Sequence, residues 1–104
     1  MLTVTKQAAE KIREASRQSQ LEGVALRVAV REAADGSFTY LMGFDDVQGG
    51  EDVSVESEGI ALVFDAAQTV KISGMVIDFV VLDDGESNFV FINPNDPGHT
   101  HPRT

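Results

Sequence analysis

The only two histidines of the chain, His99 and His101, stand two residues apart near its C-terminal end. In extended backbone, residues i and i+2 project to the same side, so both imidazoles can face one metal ion. Neutral imidazole is a good ligand for zinc, iron, copper or nickel. Two nitrogens alone make a weak site, and a third donor is required. Asp35, at the tip of an expected hairpin, is one candidate; Asp96 and the acidic half of the chain offer others. Two histidines plus a carboxylate is also the ligand set of non-haem Fe(II) oxygenases, but no general base or substrate pocket can be argued, so an enzyme of that kind ranks last. The bland alternative is a solvated chain end with incidental histidines, because chain ends are usually poorly ordered.

Other chemistry is thinly supported. The chain has no cysteine, which excludes disulfides, zinc–thiolate sites, cysteine nucleophiles and iron–sulfur ligation by its own thiolates. Asp45-Asp46 and Asp83-Asp84 lack calcium-loop spacing and read as exposed turns. Asp78 lies inside an apolar strand and must either face solvent or have a partner; a water-facing strand side is the simpler expectation, and catalysis by a raised-pKa acid the sharper one. Gly49-Gly50 has neither the spacing nor the lysine of a phosphate loop, and no serine sits in a nucleophile elbow. Asn93-Pro94-Asn95 reads as structural: proline cannot donate to a ladder, and the asparagine side chains can close Asx turns.

These residues need a frame. With 104 residues and an ordinary hydrophobic share of 42%, one domain over 1–104 is expected, with 96–104 as a tail that can be flexible. The net charge is −9, and six of the eight basic residues precede Glu32, with none between Glu32 and Val70. Nucleic acid and anionic membranes are therefore poor partners, and the acidic half reads first as a solvated face. No apolar run is long enough to span a bilayer, and no signal core opens the chain, so a soluble cytoplasmic protein is the default expectation.

Thr5 can cap a helix running to about Gln20, with Ala8, Ile12 and Ala15 as its apolar stripe, Glu10–Arg13 and Glu14–Arg17 paired on the wet side, and Gly23 ending the unit. Strands follow at Ala25–Arg31 and Phe38–Phe44, joined by a hairpin at Ala33–Ser37 with Asp-Gly as its signal. Asp45–Gly50 is a loop, Asp52–Glu56 a short strand, Glu58-Gly59 a turn and Ile60–Phe64 the next strand. Asp65 caps a short helix to Ile72. Met75–Val81 and Asn88–Ile92 complete the strands, separated by a polar turn. One helix, mostly strands and one inserted short helix make an α+β fold, with mixed and mainly antiparallel pairing, rather than repeated βαβ units.

The order of elements, with Leu26-Arg27-Val28-Ala29-Val30-Arg31, Phe38-Thr39-Tyr40, Gly59-Ile60 entering Phe64-Asp65, Ile77-Asp78-Phe79-Val80 and Phe89-Val90-Phe91-Ile92-Asn93-Pro94-Asn95, resembles the A-type iron–sulfur carrier family, the HesB/IscA-like proteins. The resemblance covers nearly the whole chain. It implies three cysteines: one in the loop after the Leu-Arg-x-x-Val strand, and a Cys-x-Cys pair shortly after Asn-Pro-Asn, together holding iron or a cluster between subunits. Here Asp35 occupies the loop position. His99 and His101 correspond to the pair, allowing about one residue of slack. A carboxylate and two imidazoles suit a mononuclear Fe(II) or Zn(II) ion, whereas cluster sulfide prefers thiolates, so a conventional cluster is disfavoured. The leading expectation is a non-enzymatic, metal-binding accessory protein of iron–sulfur biogenesis using His99, His101 and Asp35. The alternative is a cysteine-free, metal-free interaction or regulatory protein. The resemblance also implies a homodimer or tetramer, and partners among iron–sulfur assembly or recipient proteins.

Overall fold

The computed structural model describes residues 2–45 and 51–96. A two-residue strand β1 (Thr3–Val4) leads into helix α1 (Lys6–Gln18). Then come β2 (Leu26–Glu32), β3 (Phe38–Phe44), β4 (Asp52–Ser57) and β5 (Ile60–Asp65). A 3-10 turn (Ala66–Gln68) runs into the single-turn helix α2 (Thr69–Ile72), and β6 (Val76–Val81) and β7 (Ser87–Ile92) follow. The strands form two sheets, one in the order β3-β2-β5-β4 and one in the order β1-β6-β7. Pairing is antiparallel except for β2 with β5 and β1 with β6. This is the expected α+β fold with mixed sheets.

Each hairpin forms where the sequence supplies a residue for the turn. Between β2 and β3, Ala33 N–H donates to Ser37 C=O at 2.8 Å and Gly36 takes φ +89°. The β6–β7 connection repeats this geometry, with Leu82 N–H to Glu86 C=O at 2.6 Å and Gly85 at φ +88°. In both, glycine fills the left-handed position of a three-residue loop. Between β4 and β5, Glu58 and Gly59 both have positive φ, +51° and +78°, which is the type I′ pattern. Glu58 carries the strain of that conformation, and Arg13 Nη1 holds its carbonyl at 2.8 Å.

Thr5 caps α1 as expected, accepting from Ala8 N–H. The helix stops at Gln18 rather than Gln20. Leu21 N–H reaches Ser16 C=O at 2.7 Å and Gln20 N–H reaches Arg17 C=O at 3.2 Å, with Gln20 at φ +59°. That is a Schellman closure, so Gln20 ends the helix and Gly23 only shapes the loop beyond it. The buried face is Ala8, Ala9, Ile12 and Ser16, while Ala15 is exposed. Ser16 can be buried because its hydroxyl donates to Arg13 C=O at 2.8 Å. On the wet side, Lys11 pairs with Glu14 at 3.3 Å and Arg13 bonds Glu58, in place of the expected Glu10–Arg13 and Glu14–Arg17 pairs.

One core holds both sheets and the helix together. It contains Leu2, Val4, Ala8, Ile12, Leu26, Val28, Val30, Leu62, Phe64, Ile72, Met75 and Ile77, all buried. Ser57 ties the end of β4 to β1, accepting from Val4 N–H at 3.0 Å and donating to Val4 C=O at 3.4 Å. On the opposite flank, the Tyr40 ring of β3 stacks on Phe91 of β7 at 4.8 Å and 7°. The two sheets are thus joined along both sides. At β2, the pairing with β5 covers only Leu26 and Arg27. Beyond it, the Gln68 side chain substitutes for a strand: its Oε1 accepts from Val30 N–H at 3.0 Å and its Nε2 donates to Val30 C=O at 2.6 Å.

Candidate functional site

Of the three residues expected to hold a metal, the structure describes Asp35; His99 and His101 lie outside the described residues. Asp35 sits at the tip of the β2–β3 hairpin. Its Oδ1 accepts from Ser37 N–H at 3.0 Å and from Ser37 Oγ at 2.7 Å. The Ser37 backbone and hydroxyl bonds hold the carboxyl below the usual aspartate range, so it stays ionised. Asp84 occupies the same place in the β6–β7 hairpin, where its Oδ1 accepts from Glu86 N–H at 3.0 Å. An aspartate in this position closes an Asx turn in either hairpin, so turn chemistry alone accounts for Asp35. Among the described residues, no three His, Asp or Glu side chains converge as a metal-binding group.

The segment leading into the tail is held firmly. Asn93 is completely buried, and its Nδ2 donates to Lys71 C=O at 2.7 Å. Its Oδ1 accepts from Asn95 N–H at 3.0 Å, closing an Asx turn. Asn95 Nδ2 donates to Ser73 C=O at 2.6 Å. The carbonyls so engaged are those left over at the end of α2. Gly74 has φ +83°, and Pro94 packs close to it; a Cβ there would lie 3.4 Å from the proline ring. Asn-Pro-Asn therefore fastens the chain after β7 to the α2–β6 turn, which is the structural role its composition suggested.

One residue further on, Asp96 accepts from the Tyr40 hydroxyl at 2.6 Å. Burial first, and the bond to Asp96 second, push the Tyr40 phenol up to about 12. Phe38 meets the Tyr40 ring edge-on at 6.4 Å. Asp96 is thus held against the strand that follows the Asp35 hairpin. Nothing in the sequence signalled this contact, because its partners are 56 residues apart. The one available signal was that Tyr40 is the sole tyrosine of the chain.

Two other polar clusters also escaped sequence reasoning. Arg27, on the outer side of β2, makes a bidentate pair with Asp52 (3.1 and 2.6 Å) and a further bond from Nε to Asp45 at 2.6 Å. The bonds to Asp52, then Asp45, drive the guanidinium pKa further upward. Asp45 is thus not a bare exposed turn: Arg27 pins the residues on both sides of segment 46–50. Asp78 does not face open water either. It is half-buried, and its Oδ1 accepts from the Thr5 hydroxyl at 2.6 Å and from Phe79 N–H at 2.8 Å. It orients the residue that caps α1. A cleft of about 310 Å³ lies between α1 and the β4–β5 turn, lined by Ile12, Arg13, Arg17, Phe44, Glu56 and Ile60 among others. None of its lining residues belongs to the expected metal set. No helix among the described residues is long and apolar enough to cross a membrane.

Similarity to known proteins agrees with this architecture. The iron–sulphur cluster biosynthesis family matches residues 1–97. An iron–sulfur cluster insertion protein, ErpA of Alcanivorax borkumensis, is 33% identical over 94 residues, covering 90% of this chain and 78% of that protein. The iron-binding protein IscA of Serratia proteamaculans is 29% identical over 96 residues, covering 90% and 86%. Among solved structures, Escherichia coli SufA, involved in biosynthesis of iron–sulfur clusters, superposes with a TM-score of 0.71 at 28% identity, covering 90% of this chain and 86% of its own. IscA with a [2Fe–2S] cluster superposes with a TM-score of 0.76 at 23% identity, covering 91% and 86%, which speaks for the fold. With two mixed sheets closed around one helix, and a match spanning all but the last residues, this chain belongs to the iron–sulphur cluster biosynthesis family.

Proposed function

We propose that the protein serves iron–sulfur biogenesis or iron handling as a non-enzymatic accessory protein that binds one divalent metal ion, Fe(II) or Zn(II). His99 and His101 are the nitrogen donors and Asp35 the oxygen donor. The family supplies the pathway: its named relatives include an iron-binding protein and a cluster insertion protein. The donor chemistry supplies the cargo. With no cysteine in the chain, its residues do not fit a thiolate-held cluster, whereas imidazole and carboxylate fit a single borderline cation.

The observation that carries the reading is the Tyr40–Asp96 bond. It fixes the chain three residues before His99 against the strand that the Asp35 hairpin opens into. Three extended residues reach roughly 10 Å and five roughly 17 Å. Asp35 lies about 15 Å along the hairpin from Tyr40 by the rise of a strand. By this arithmetic His101 reaches Asp35, whose ionised carboxylate is the ligating form, while the backbone at His99 falls about 5 Å short, a gap left to the lengths of the His99 and Asp35 side chains.

Titration of the purified protein with Fe(II) and with Zn(II) tests this. Saturable binding of a single equivalent is expected, lost in His99→Ala/His101→Ala, and weakening as pH falls through about 6.5 because imidazole must be neutral to coordinate. Absence of saturable binding refutes the proposal. The equivalence of Asp35 and Asp84 as turn residues favours a second reading, a metal-free interaction protein. In that case the double variant binds metal like the wild type but fails to retain a partner in pull-down.

A further inference from the structure

We infer that the cleft between α1 and the β4–β5 turn is a binding site for a free α-amino acid with an apolar side chain, separate from the proposed metal donors. The cleft encloses about 310 Å³, at the lower end of the range for small-ligand sites. Its floor is apolar: Ile12 and Ile60 are 3% and 7% exposed, and Phe44 is half-buried.

Two cations and two anions stand around that floor. α1 contributes Arg13 and Arg17, four residues apart and therefore on one side of the helix. Glu22, from the loop after α1, and Glu56, from β4, line the cleft as well. Among the described residues, no ion pair joins any two of these four groups. Glu14, the helix neighbour that could neutralise Arg17, is taken by Lys11 at 3.3 Å. Arg13 is drawn to the turn, where Nη1 donates to Glu58 C=O at 2.8 Å. That acceptor is neutral, so the Arg13 charge stays uncompensated. Gly59 leaves room for this approach, since a Cβ there would lie 3.4 Å from the same nitrogen.

The cleft thus holds opposite charges apart over an apolar floor, and a small zwitterion complements that arrangement. An α-carboxylate matches the planar fork of a guanidinium. An α-ammonium has three donors and no acceptor, and the carboxylates of Glu22 and Glu56 are acceptors only. The apolar side chain then covers Ile12, Ile60 and Phe44. A plain anion would be met by the two carboxylates and a plain cation by the two guanidiniums, so the same residues that favour the zwitterion disfavour both.

Titrating L-leucine into the isotope-labelled full chain tests this, with the amide signals of Gly23 and Gly59 as local reporters because both residues line the cleft. Saturable shifts at both are expected in the millimolar range. Arg17→Gln should weaken binding about tenfold, the loss of one charge-assisted contact. Leucinamide, which lacks the carboxylate, and N-acetyl-leucine, which lacks the ammonium, should each bind about tenfold more weakly than leucine. Glu22→Gln/Glu56→Gln should weaken leucine but not N-acetyl-leucine, a split that misfolding would not produce. Arg17, Glu22 and Glu56 are exposed, so these variants should keep the wild-type circular dichroism. His99→Ala/His101→Ala should bind leucine as the wild type does, which separates this result from the metal titration. Absence of saturable shifts at Gly23 and Gly59, or unaltered leucine binding in Arg17→Gln, would overturn the proposal. So would N-acetyl-leucine binding as tightly as leucine, since the occupant would then be the C-terminal residue of another protein chain.

Discussion

Replacing Asn93 by alanine should uncouple the tail from the body of the protein. Asn93 is fully buried and makes three side-chain bonds, to Lys71 C=O at 2.7 Å and from the backbone and side chain of Asn95 at 3.0 Å each. A net hydrogen bond contributes about 1 kcal/mol, and a buried group left without its partner costs about 1–3 kcal/mol. Asn95 is exposed, so water recovers part of what it loses. Lys71 C=O keeps only the longer 3.3 Å bond from Asn95. The expected cost is about 2–3 kcal/mol, which for a domain of this size lowers the melting temperature by roughly 10–20 °C. Urea unfolding followed by far-UV circular dichroism measures it. Asn93→Asp sharpens the test, because it preserves shape and acceptor but turns the donor toward Lys71 into an oxygen. Ionisation beside that carbonyl is disfavoured, so the folded pKa of the new carboxyl rises above its unfolded value near 3.9. A group of that kind is best tolerated below pH 4, where the acid can still donate, and costs progressively more as pH rises through the folded pKa. Asn93→Ala should lack this dependence. A cost under about 0.5 kcal/mol for the alanine variant, or a pH-independent aspartate variant, refutes the assignment of the tail's anchorage to this bond.

Tyr40, the sole tyrosine, should titrate by ultraviolet absorbance with a midpoint near 12, and Asp96→Asn should bring it partway back toward 10, burial accounting for the rest. Since the folded pKa is the raised one, this group's stabilisation is whole below about pH 10 and disappears as pH climbs from there to about 12; flat stability across that window would contradict it. Glu58→Asn relieves a left-handed glutamate and creates the Asn-Gly pair that type I′ turns favour, so stability should rise by about 0.5–1 kcal/mol in the same urea assay, and a loss would mean that the Glu58 conformation is not strained. Gln68→Ala strips two bonds from Val30 and should cost about 2 kcal/mol, with faster amide exchange at Val30 as the local sign.

The elements were legible because their signals are local. Thr5 ahead of the α1 stripe, Asp-Gly at the β2–β3 hairpin and alternation along β2 and β3 each act within a few residues, and each feature formed. Two misreadings share a cause. Ala15 was expected on the buried stripe, but Ser16 is buried in its place, since a serine whose hydroxyl bonds a carbonyl one turn back is as buriable as alanine. The helix was expected to run to about Gln20, with Gly23 ending the unit, but it stops at Gln18 and Gln20 takes the left-handed conformation that the Schellman bonds require. β1 was missed because two residues cannot show a period, and it exists only through its backbone bonds to Met75 and Ile77.

For the candidate site, sequence supplied donor types and nothing about convergence. Residue identity alone settles that no thiolate is present, that two imidazoles follow Asn-Pro-Asn, and that a neutral strand lies in a strongly acidic chain. Composition and short-range backbone preference need no partner to act. Only tertiary structure decided that Asn93 and Asn95 grip the end of α2, that Tyr40 meets Asp96, that Arg27 joins Asp45 to Asp52, and that β3 is the outermost strand of its sheet. Those contacts join residues tens of positions apart. Packing between the two sheets selects them, and no local pattern in the chain encodes which distant group will fill each polar vacancy.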